Sequence, residues 1–348
     1  MSILIDADTT FIVQGITGRE AVNLTRECLD YGAGAKVVGG VTPGRLGREV
    51  HGVPVFDTVA QAVDHHGGPI DGSVVTVPPA FTKDAVFEAI ENGVELIVIV
   101  TERIPRRDVA QMVELASLRG ARIIGPNCLG IIVPDVIKMG GIGGPARNAA
   151  QAYRPGPIGV ISRSGGMTTE MSSTLSAAGL GQSTAVSIGG DAIIGSTYAE
   201  LMPLFEADGQ TQGIVIYTEP GGRMEAELAR WVTDNQGAQR PVGAAGAARL
   251  PIVAFMAGRF MDEMPGMSFG HAGTIVEGKA DTAGEKIARL AQAGIAVAER
   301  IEDIPGMIGA AIAERSGNAS AASPAPTSSP PSAAAQSATA ASSSGSAA

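Results

Sequence analysis

The sequence predicts an α/β protein of two domains, each a parallel sheet with helices on both faces. Three observations predict it. Short continuous apolar runs alternate with stretches of helical period, the pattern of strands buried on both sides. The runs end in glycine or proline turns, and glycine supplies 47 of the 348 residues. At about 150 residues per domain, that length makes roughly two domains.

The elements follow in order. Phe11–Gln14 is a strand ending in a glycine turn, and Glu20–Tyr31 is a helix with Ala21, Leu24, Cys28 and Tyr31 on one stripe. Lys36–Gly39 is the next strand. Gly72–Val77 runs into Pro78 and Pro79, before a helix from Thr82 to Asn92 that Gly93 stops. Val94–Thr101 is a buried strand, Asp108–Arg119 a helix and Arg122–Gly125 a strand, so residues 1–130 form the first domain. Ile131–Pro157 is rich in glycine and proline and reads as the connection. Residues 158–315 then form a second domain. Its strands are Ile158–Ile161, Gly213–Tyr217, Pro251–Phe255 and Ile295–Ala298, and its helices Met167–Ala178, Met224–Asn235 and Thr282–Ala293. No charge follows Arg315, and 23 of the last 33 residues are Ala or Ser. Such a composition cannot offset its ordering entropy, so 316–348 is expected to be a disordered tail.

Composition narrows the function. A net charge of −10 disfavours a nucleic-acid binder held by phosphate contacts. The longest strongly apolar stretch, Leu96–Val100, is far short of a membrane span. Asp6 and Asp8 stand where a signal peptide would be basic, and Cys28 and Cys128 make neither a disulfide framework nor a metal site. A reduced, cytoplasmic setting is expected.

In parallel sheets ligands bind beyond the carboxyl ends of strands, near helix N-termini. The first such loop is Gln14–Glu20, a GxxG turn that fits a phosphate site and a structural turn equally well. No acid ends the second strand to hold a ribose; Gly39–Arg45 is instead a glycine loop ending in a cation, which favours an extra phosphate over plain NAD. The second loop, Ser162–Glu170, places small hydroxyl residues and two glycines between strand and helix, as an anion cradle or an ordinary cap would. The third is Phe269-Gly-His-Ala-Gly273, whose small neighbours leave the His271 ring unshielded. A lone histidine is more often a surface or satisfied core residue, the reading kept for His51, His65 and His66. Gly273–Ala280 has the glycines and lysine of a P-loop, but Ala280 lacks the hydroxyl that holds magnesium, so it is not a nucleotide site.

These pieces, in this order, resemble the alpha subunits of succinate–CoA ligases, within the NDP-forming acyl-CoA synthetase superfamily. The motifs are Gln14-Gly-Ile-Thr-Gly18, Val38-Gly-Gly-Val-Thr-Pro-Gly44, Gly125-Pro-Asn-Cys128, Ser162-Arg-Ser-Gly165, Gly181-Gln-Ser-Thr184, Ile188-Gly-Gly-Asp191 and Gly270-His-Ala-Gly273. The likeness spans Met1 to Ile301, and only the tail and Gly237–Met267 look foreign.

The resemblance implies an N-terminal Rossmann-like domain that binds coenzyme A, followed by a flavodoxin-like domain that carries a phosphorylated histidine. It places CoA against Thr17, Gly18, Arg19, Glu20, Val100, Thr101 and Glu102, and against Arg45, where the family usually has lysine. It makes His271 the phosphorylated residue and Glu219 the carboxylate that orients its ring. Ser162, Arg163, Ser164, Gly165 and Gly166 open the helix that cradles the phosphoryl group. Thr169 stands where the succinate enzymes commonly carry tyrosine, which predicts a roomier acid pocket unless a bulky side chain such as Met167 or Met171 fills the gap.

The chain lacks a convincing nucleotide site. The resemblance therefore implies an ATP-grasp beta subunit that holds magnesium and ATP or GTP, in an αβ dimer or an α2β2 tetramer. The expected reaction joins a small carboxylic acid, succinate first, to CoA through phosphohistidine and an acyl phosphate. Thr169 admits another dicarboxylate or a sulfonated acid. A CoA-binding regulatory module without turnover would need neither His271 nor Glu219, and an NAD-dependent oxidoreductase is disfavoured by the incomplete fingerprint. No metal site, nucleic acid or membrane is expected for this chain.

Overall fold

The computed structural model describes residues 3–34, 36–236, 250–267 and 269–321. The first sheet contains β1 (Thr10–Gln14), β2 (Lys36–Val41), β3 (Glu49–Val50), β4 (Val53–Phe56), β5 (Gly72–Val75), β6 (Leu96–Ile99) and β7 (Arg122–Ile124). Their order is β3-β4-β2-β1-β5-β6-β7, parallel throughout except for the β3–β4 hairpin. Helices α1 (Arg19–Leu29), α2 (Val59–His66), α3 (Pro79–Glu91) and α4 (Arg106–Arg119) cover it. Pro79 takes the first helical position of α3, where its missing N–H has no partner to lose.

The second sheet contains β8 (Gly130–Val133), β9 (Ile137–Met139), β10 (Pro155–Ser162), β11 (Gln182–Ser187), β12 (Gly213–Thr218), β13 (Ile252–Met256) and β14 (Ala296–Ala298). The order is β14-β13-β12-β10-β11-β8-β9. Its helices are α5 (Ala146–Ala152), α6 (Gly165–Ala177), α7 (Tyr198–Ala207), α8 (Met224–Gln236), α9 (Ala283–Gln292) and α10 (Ile304–Ala321). The parallel part, β11-β10-β12-β13-β14, has the 2-1-3-4-5 order of a flavodoxin-like sheet.

Both sheets reverse direction at their founding strand. β1 lies between β2 and β5, and β10 lies between β11 and β12. The loops that leave β1 and β10 therefore open into crevices, the place where such sheets take ligands.

Two expectations change. The stretch 131–157, read as a connection, holds most of β8 together with β9 and α5; β8 pairs antiparallel with β11, and β9 with β8. Its glycines serve close backbone approach: a side chain on Gly130 or Gly140 would strike the opposite strand or its turn. Met139 is fully buried, and its methyl lies where a side chain on Gly72 of β5 would stand, so this hairpin also packs on the first sheet. Helix α10 extends through Ala321, six residues into the stretch expected to be a disordered tail. The rest of that stretch, 322–348, lies outside the described residues, as does 237–249 of the foreign segment.

Candidate active site

His271 sits on the loop between the turn Arg259–Glu263 and α9. Gly270 precedes it at φ +79°, a left-handed conformation that glycine adopts without strain. The His271 carbonyl accepts from the Thr274 amide at 3.1 Å and the Thr274 hydroxyl at 2.7 Å. The Gly273 amide donates to the Gly190 carbonyl at 3.1 Å. The ring lies directly over Gly190: a Cβ there would stand 2.5 Å from His271 Cγ.

Glu219 follows β12. Its side chain is 9% exposed, and its Oε2 lies 2.8 Å from His271 Nδ1. The histidine side chain remains 27% exposed. No partner holds Nε2 among the described residues. A carboxylate on Nδ1 fixes the tautomer that leaves Nε2 unprotonated and able to attack.

The turn after β12 is anchored from below. Lys286 Nζ donates to the Glu219 carbonyl at 3.0 Å, to the Gly221 carbonyl, and to Glu225 Oε2 at 2.6 Å. Lys286 and Glu225 are both buried. Burial lowers the Lys286 pKa, and the Glu225 charge opposes that shift. Burial, then the Glu219 charge, raises the Tyr217 pKa.

The helix α6 opens at Ser164, whose hydroxyl accepts from the Met167 amide at 3.4 Å, while Ser162 Oγ donates to the Ser164 carbonyl at 2.7 Å. The amides of Gly165 and Gly166 begin the helix with no acceptor among the described residues, the arrangement that favours an anion. Arg163 behaves differently. Its side chain is buried, and Nη2 donates to the carbonyls of Gly190 at 3.3 Å and Asp191 at 3.1 Å. A side chain on Gly273 would strike this guanidinium. Arg163 thus props the glycine turn on which the His271 ring rests.

A second site lies in the first domain. A cavity of about 650 Å³ opens where β1 and β5 diverge, lined by Gly15, Thr17, Gly18, Thr42, Pro43 and Phe81 among others. Thr17 Oγ1 donates to Thr42 Oγ1 at 3.3 Å. Arg19 and Glu20 are exposed at the start of α1 and pair with each other at 3.2 Å. Arg45 is exposed, its amide held by Asp57 Oδ1 at 2.9 Å. Thr101 donates to the Val77 carbonyl at 2.8 Å, and Val100 donates its amide to the Val75 carbonyl. Of the residues expected to meet CoA, Thr17 and Gly18 line this cavity. Glu102 lines a smaller one of about 170 Å³, which also touches Gly270 and Ala272 on either side of His271.

Two family models match the chain: CoA binding domain over residues 6–103 and CoA-ligase over residues 161–296. The chain is 42% identical over 306 residues to the succinate–CoA ligase [ADP-forming] subunit alpha 1 of Archaeoglobus fulgidus, covering 87% of this chain and 96% of the relative. The chain belongs to the family of succinate–CoA ligase alpha subunits. The corresponding subunit of Aquifex aeolicus is 39% identical over 316 residues, covering 90% of this chain and 94% of that protein. Among solved structures, the ATP citrate lyase of Methanothrix soehngenii in complex with citrate and coenzyme A superposes with a TM-score of 0.80 at 23% identity, which shows a shared fold. It covers 90% of this chain, and the chain spans about half, 51%, of the lyase.

The family's site contains features that sequence reasoning missed. Asn127 Nδ2 donates to Asp191 Oδ1 at 3.0 Å, and the Gly190 amide to the Asn127 carbonyl at 3.3 Å, which joins two motifs far apart in the chain. Lys286 left a signal: it sits with Ala283 and Leu290 on the buried stripe of α9. Thr169 is bonded to Tyr153, whose buried hydroxyl lies 2.9 Å from Thr169 Oγ1. The space beside this short side chain therefore contains a phenol from the residue after α5, in the same apolar cluster as Met171 and Met167.

The remaining histidines keep the bland reading. His51 Nε2 lies 3.1 Å from the Val22 carbonyl, and His65 packs on Phe56 with ring centroids 5.0 Å apart. Gly273–Ala280 is loop running into a single turn at Lys279–Asp281, without the strand a P-loop follows.

Proposed function

We propose that this chain is the alpha half of an NDP-forming acid–CoA ligase, with succinate as the first candidate acid. The observation that carries the reading is the 2.8 Å contact between His271 Nδ1 and Glu219. A module that only bound CoA would have no use for an oriented, partly exposed imidazole.

A carboxylate is a poor acyl donor, so it must be activated before a thiol attacks it. In this reading His271 Nε2 attacks the nucleotide's terminal phosphorus and the nucleoside diphosphate leaves. Glu219 stabilises the cationic phosphorylated ring. The open amides of Gly165 and Gly166 stabilise the phosphoryl charge without donating a proton. A substrate carboxylate oxygen then attacks phosphorus, and His271 leaves as neutral imidazole. Attack by CoA sulfur at the acyl carbon expels phosphate and forms the thioester.

The apolar cavity beside Thr17 and Gly18 is proposed for CoA, with Arg19, Glu20 and Arg45 at its rim and Val100, Thr101 and Glu102 along the path towards His271. The nucleotide and magnesium are assigned to an ATP-grasp beta subunit, in an αβ or α2β2 assembly. A cytoplasmic location accords with this chemistry.

The test is to co-express the chain with its beta subunit and assay thioester formation from a panel of acids with ATP and GTP. Nucleotide-dependent acyl-CoA formation with release of one phosphate supports the reading. CoA binding without turnover for any acid contradicts it and favours the regulatory module. The mass of the active complex separates dimer from tetramer.

A further inference from the structure

We infer that residues 125–130 hold the loop proposed for CoA, the glycine turn under His271 and the start of α6 in one register, and that Asn127 is the positioning residue that makes the link. The inference rests on the ligase reading above.

The proposed chemistry is divided between two sheets. Val100, Thr101 and Glu102 follow β6 of the first sheet, whereas Gly190 follows β11 and Gly165 opens α6 on the second. CoA sulfur, the acyl group and the phosphorylated ring must nonetheless meet, and a displacement of about 1 Å can cost about 100-fold in rate. Residues 125–130 run from the end of β7 in the first sheet into the start of β8 in the second.

This short stretch touches all three parts. The Asn127 amide donates to the Thr101 carbonyl at 3.0 Å, and the Asn127 carbonyl accepts from the Gly190 amide at 3.3 Å. Asn127 Nδ2 donates to Asp191 Oδ1 at 3.0 Å. The Pro126 carbonyl lies against Gly189, where a side chain would strike it. The Leu129 side chain covers Gly165 in the same way, and its amide donates to Ser187 Oγ, at the end of β11, at 3.1 Å. Towards the first sheet, Cys128 Sγ donates to the carbonyl of Ile99, the last residue of β6, at 3.2 Å.

Asn127 has φ +55°. Asparagine enters this left-handed region more readily than most residues, but glycine enters it at no steric cost. Glycine would also keep both main-chain bonds. What it would lose is Nδ2, so the side chain is there to hold Asp191. Arg163 Nη2 holds the carbonyl of the same Asp191 at 3.1 Å and that of Gly190 at 3.3 Å. The turn on which His271 rests is thus gripped from the core by Arg163 and from the first sheet by Asn127. With the second grip weakened, Glu219 still orients the ring, and the fault falls on the step that needs both sheets.

The experiment uses the complex with its beta subunit. Asn127→Gly relaxes the backbone and keeps both main-chain bonds, so its melting temperature should stay close to wild type. Three readings are compared: His271 labelling by γ-labelled nucleotide, CoA affinity by calorimetry, and single-turnover thioester formation by the phosphorylated complex with CoA and the acid it turns over fastest. Labelling and CoA affinity should stay within about twofold, and the single-turnover rate should fall about 10- to 100-fold, the scale of misplaced reacting groups. Asn127→Asp should fall further, because it sets two carboxylates against each other. Adding Asp191→Asn to it should restore the rate by exchanging donor and acceptor. If the exchanged pair does not fold, Asn127→Gly decides alone.

An equal fall in labelling confines Asn127 to the His271 turn and overturns the inference. A matching fall in CoA affinity, an unchanged single-turnover rate, or a folded exchange that restores nothing overturns it as well. If the wild-type complex neither labels nor makes thioester, the ligase reading falls. The register is then read by amide hydrogen exchange: peptides over 99–104 and 187–192 should exchange faster together in Asn127→Gly, and unchanged exchange in either would refute the link.

Discussion

Gly190 and His271 form a single unit: the imidazole rests on the glycine so closely that a Cβ at residue 190 would stand 2.5 Å from the ring. With Glu219 on Nδ1, this bare surface fixes the ring's plane and its tautomer together. Gly190→Ala should therefore displace the ring and weaken the Glu219 contact. We expect phosphorylation of His271 to fall by about 100-fold, the penalty of misplaced reacting groups, with CoA affinity unchanged. Rapid-quench labelling with γ-labelled nucleotide measures it, and a rate within about twofold of wild type, far below that scale, would show that the contact is incidental.

Glu219→Gln keeps the shape and removes the charge. A loss of roughly 100-fold or more in turnover is expected, by analogy with other electrostatic stabilisers. Steady-state thioester formation reads it, and near-normal turnover would make Glu219 structural.

Of this pair His271 was legible in its own loop, and Glu219 only through the family resemblance. Gly270-His-Ala-Gly273 announces an unshielded histidine, and the apolar runs of β1, β5, β6, β10, β12 and β13 announce the two sheets. The missed elements have physical reasons. Strand β11 is Gln-Ser-Thr-Ala-Val-Ser, and every residue is buried. It satisfies its polar groups internally, as in the Ser183–Thr211 hydroxyl pair at 2.6 Å and Gln182 Nε2 donating to the Ser172 carbonyl at 3.0 Å. No hydrophobic pattern reports such a strand. Helix α7 contains Pro203, which reads as a breaker. β8, β9 and α5 lie among glycines whose role, close approach of two backbones, cannot be told from turn formation without the partner strand. Arg163 sits in an anion-cradling motif, yet the turn directs its side chain beneath Gly190 and into the core.

The Tyr153–Thr169 contact changes what Thr169 should do. Thr169→Tyr places a second ring where Tyr153 already stands, so it should destabilise the chain by about 1–3 kcal/mol through overpacking. Tyr153→Phe removes one hydrogen bond and should cost about 1 kcal/mol. Thermal unfolding distinguishes the two. A Thr169→Tyr chain as stable as wild type would show that the new ring finds free space.

The Lys286–Glu225 pair predicts a large effect from a remote change. Lys286→Met leaves the Glu225 carboxylate buried and unpaired, at a cost of about 3–5 kcal/mol. It also frees the Glu219 turn, so activity should fall in the surviving folded fraction. Denaturant titration combined with kcat measures both; a stability change under about 1 kcal/mol, well short of that cost, would contradict the anchoring role.

Burial pushes the thiol of Cys28 up to about 11 and that of Cys128 up to about 12, from an ordinary value of 9.0. Both pKa values are raised in the folded state, so the stabilisation is fully present below pH 9 and is lost as the pH rises from about 9 towards 11 and 12. Each thiol contributes a slope of about 1.4 kcal/mol per pH unit in that window. Melting temperatures at pH 8 and pH 10 should show the fall, reduced in a Cys28→Ala, Cys128→Ala chain. At pH 8 an aromatic disulfide reagent should leave both thiols unmodified in the native chain and modify both in denaturant.

The central claim is that Glu219 presents His271 as the residue that receives a phosphoryl group. The direct measurement incubates the αβ complex with γ-labelled ATP or GTP, isolates the alpha chain and maps the label. The account predicts one label per alpha chain on His271, stable in base and lost in acid, and absent from His271→Ala, which should still bind CoA. Label persisting in His271→Ala, or thioester formation by that variant at the wild-type rate, would contradict it.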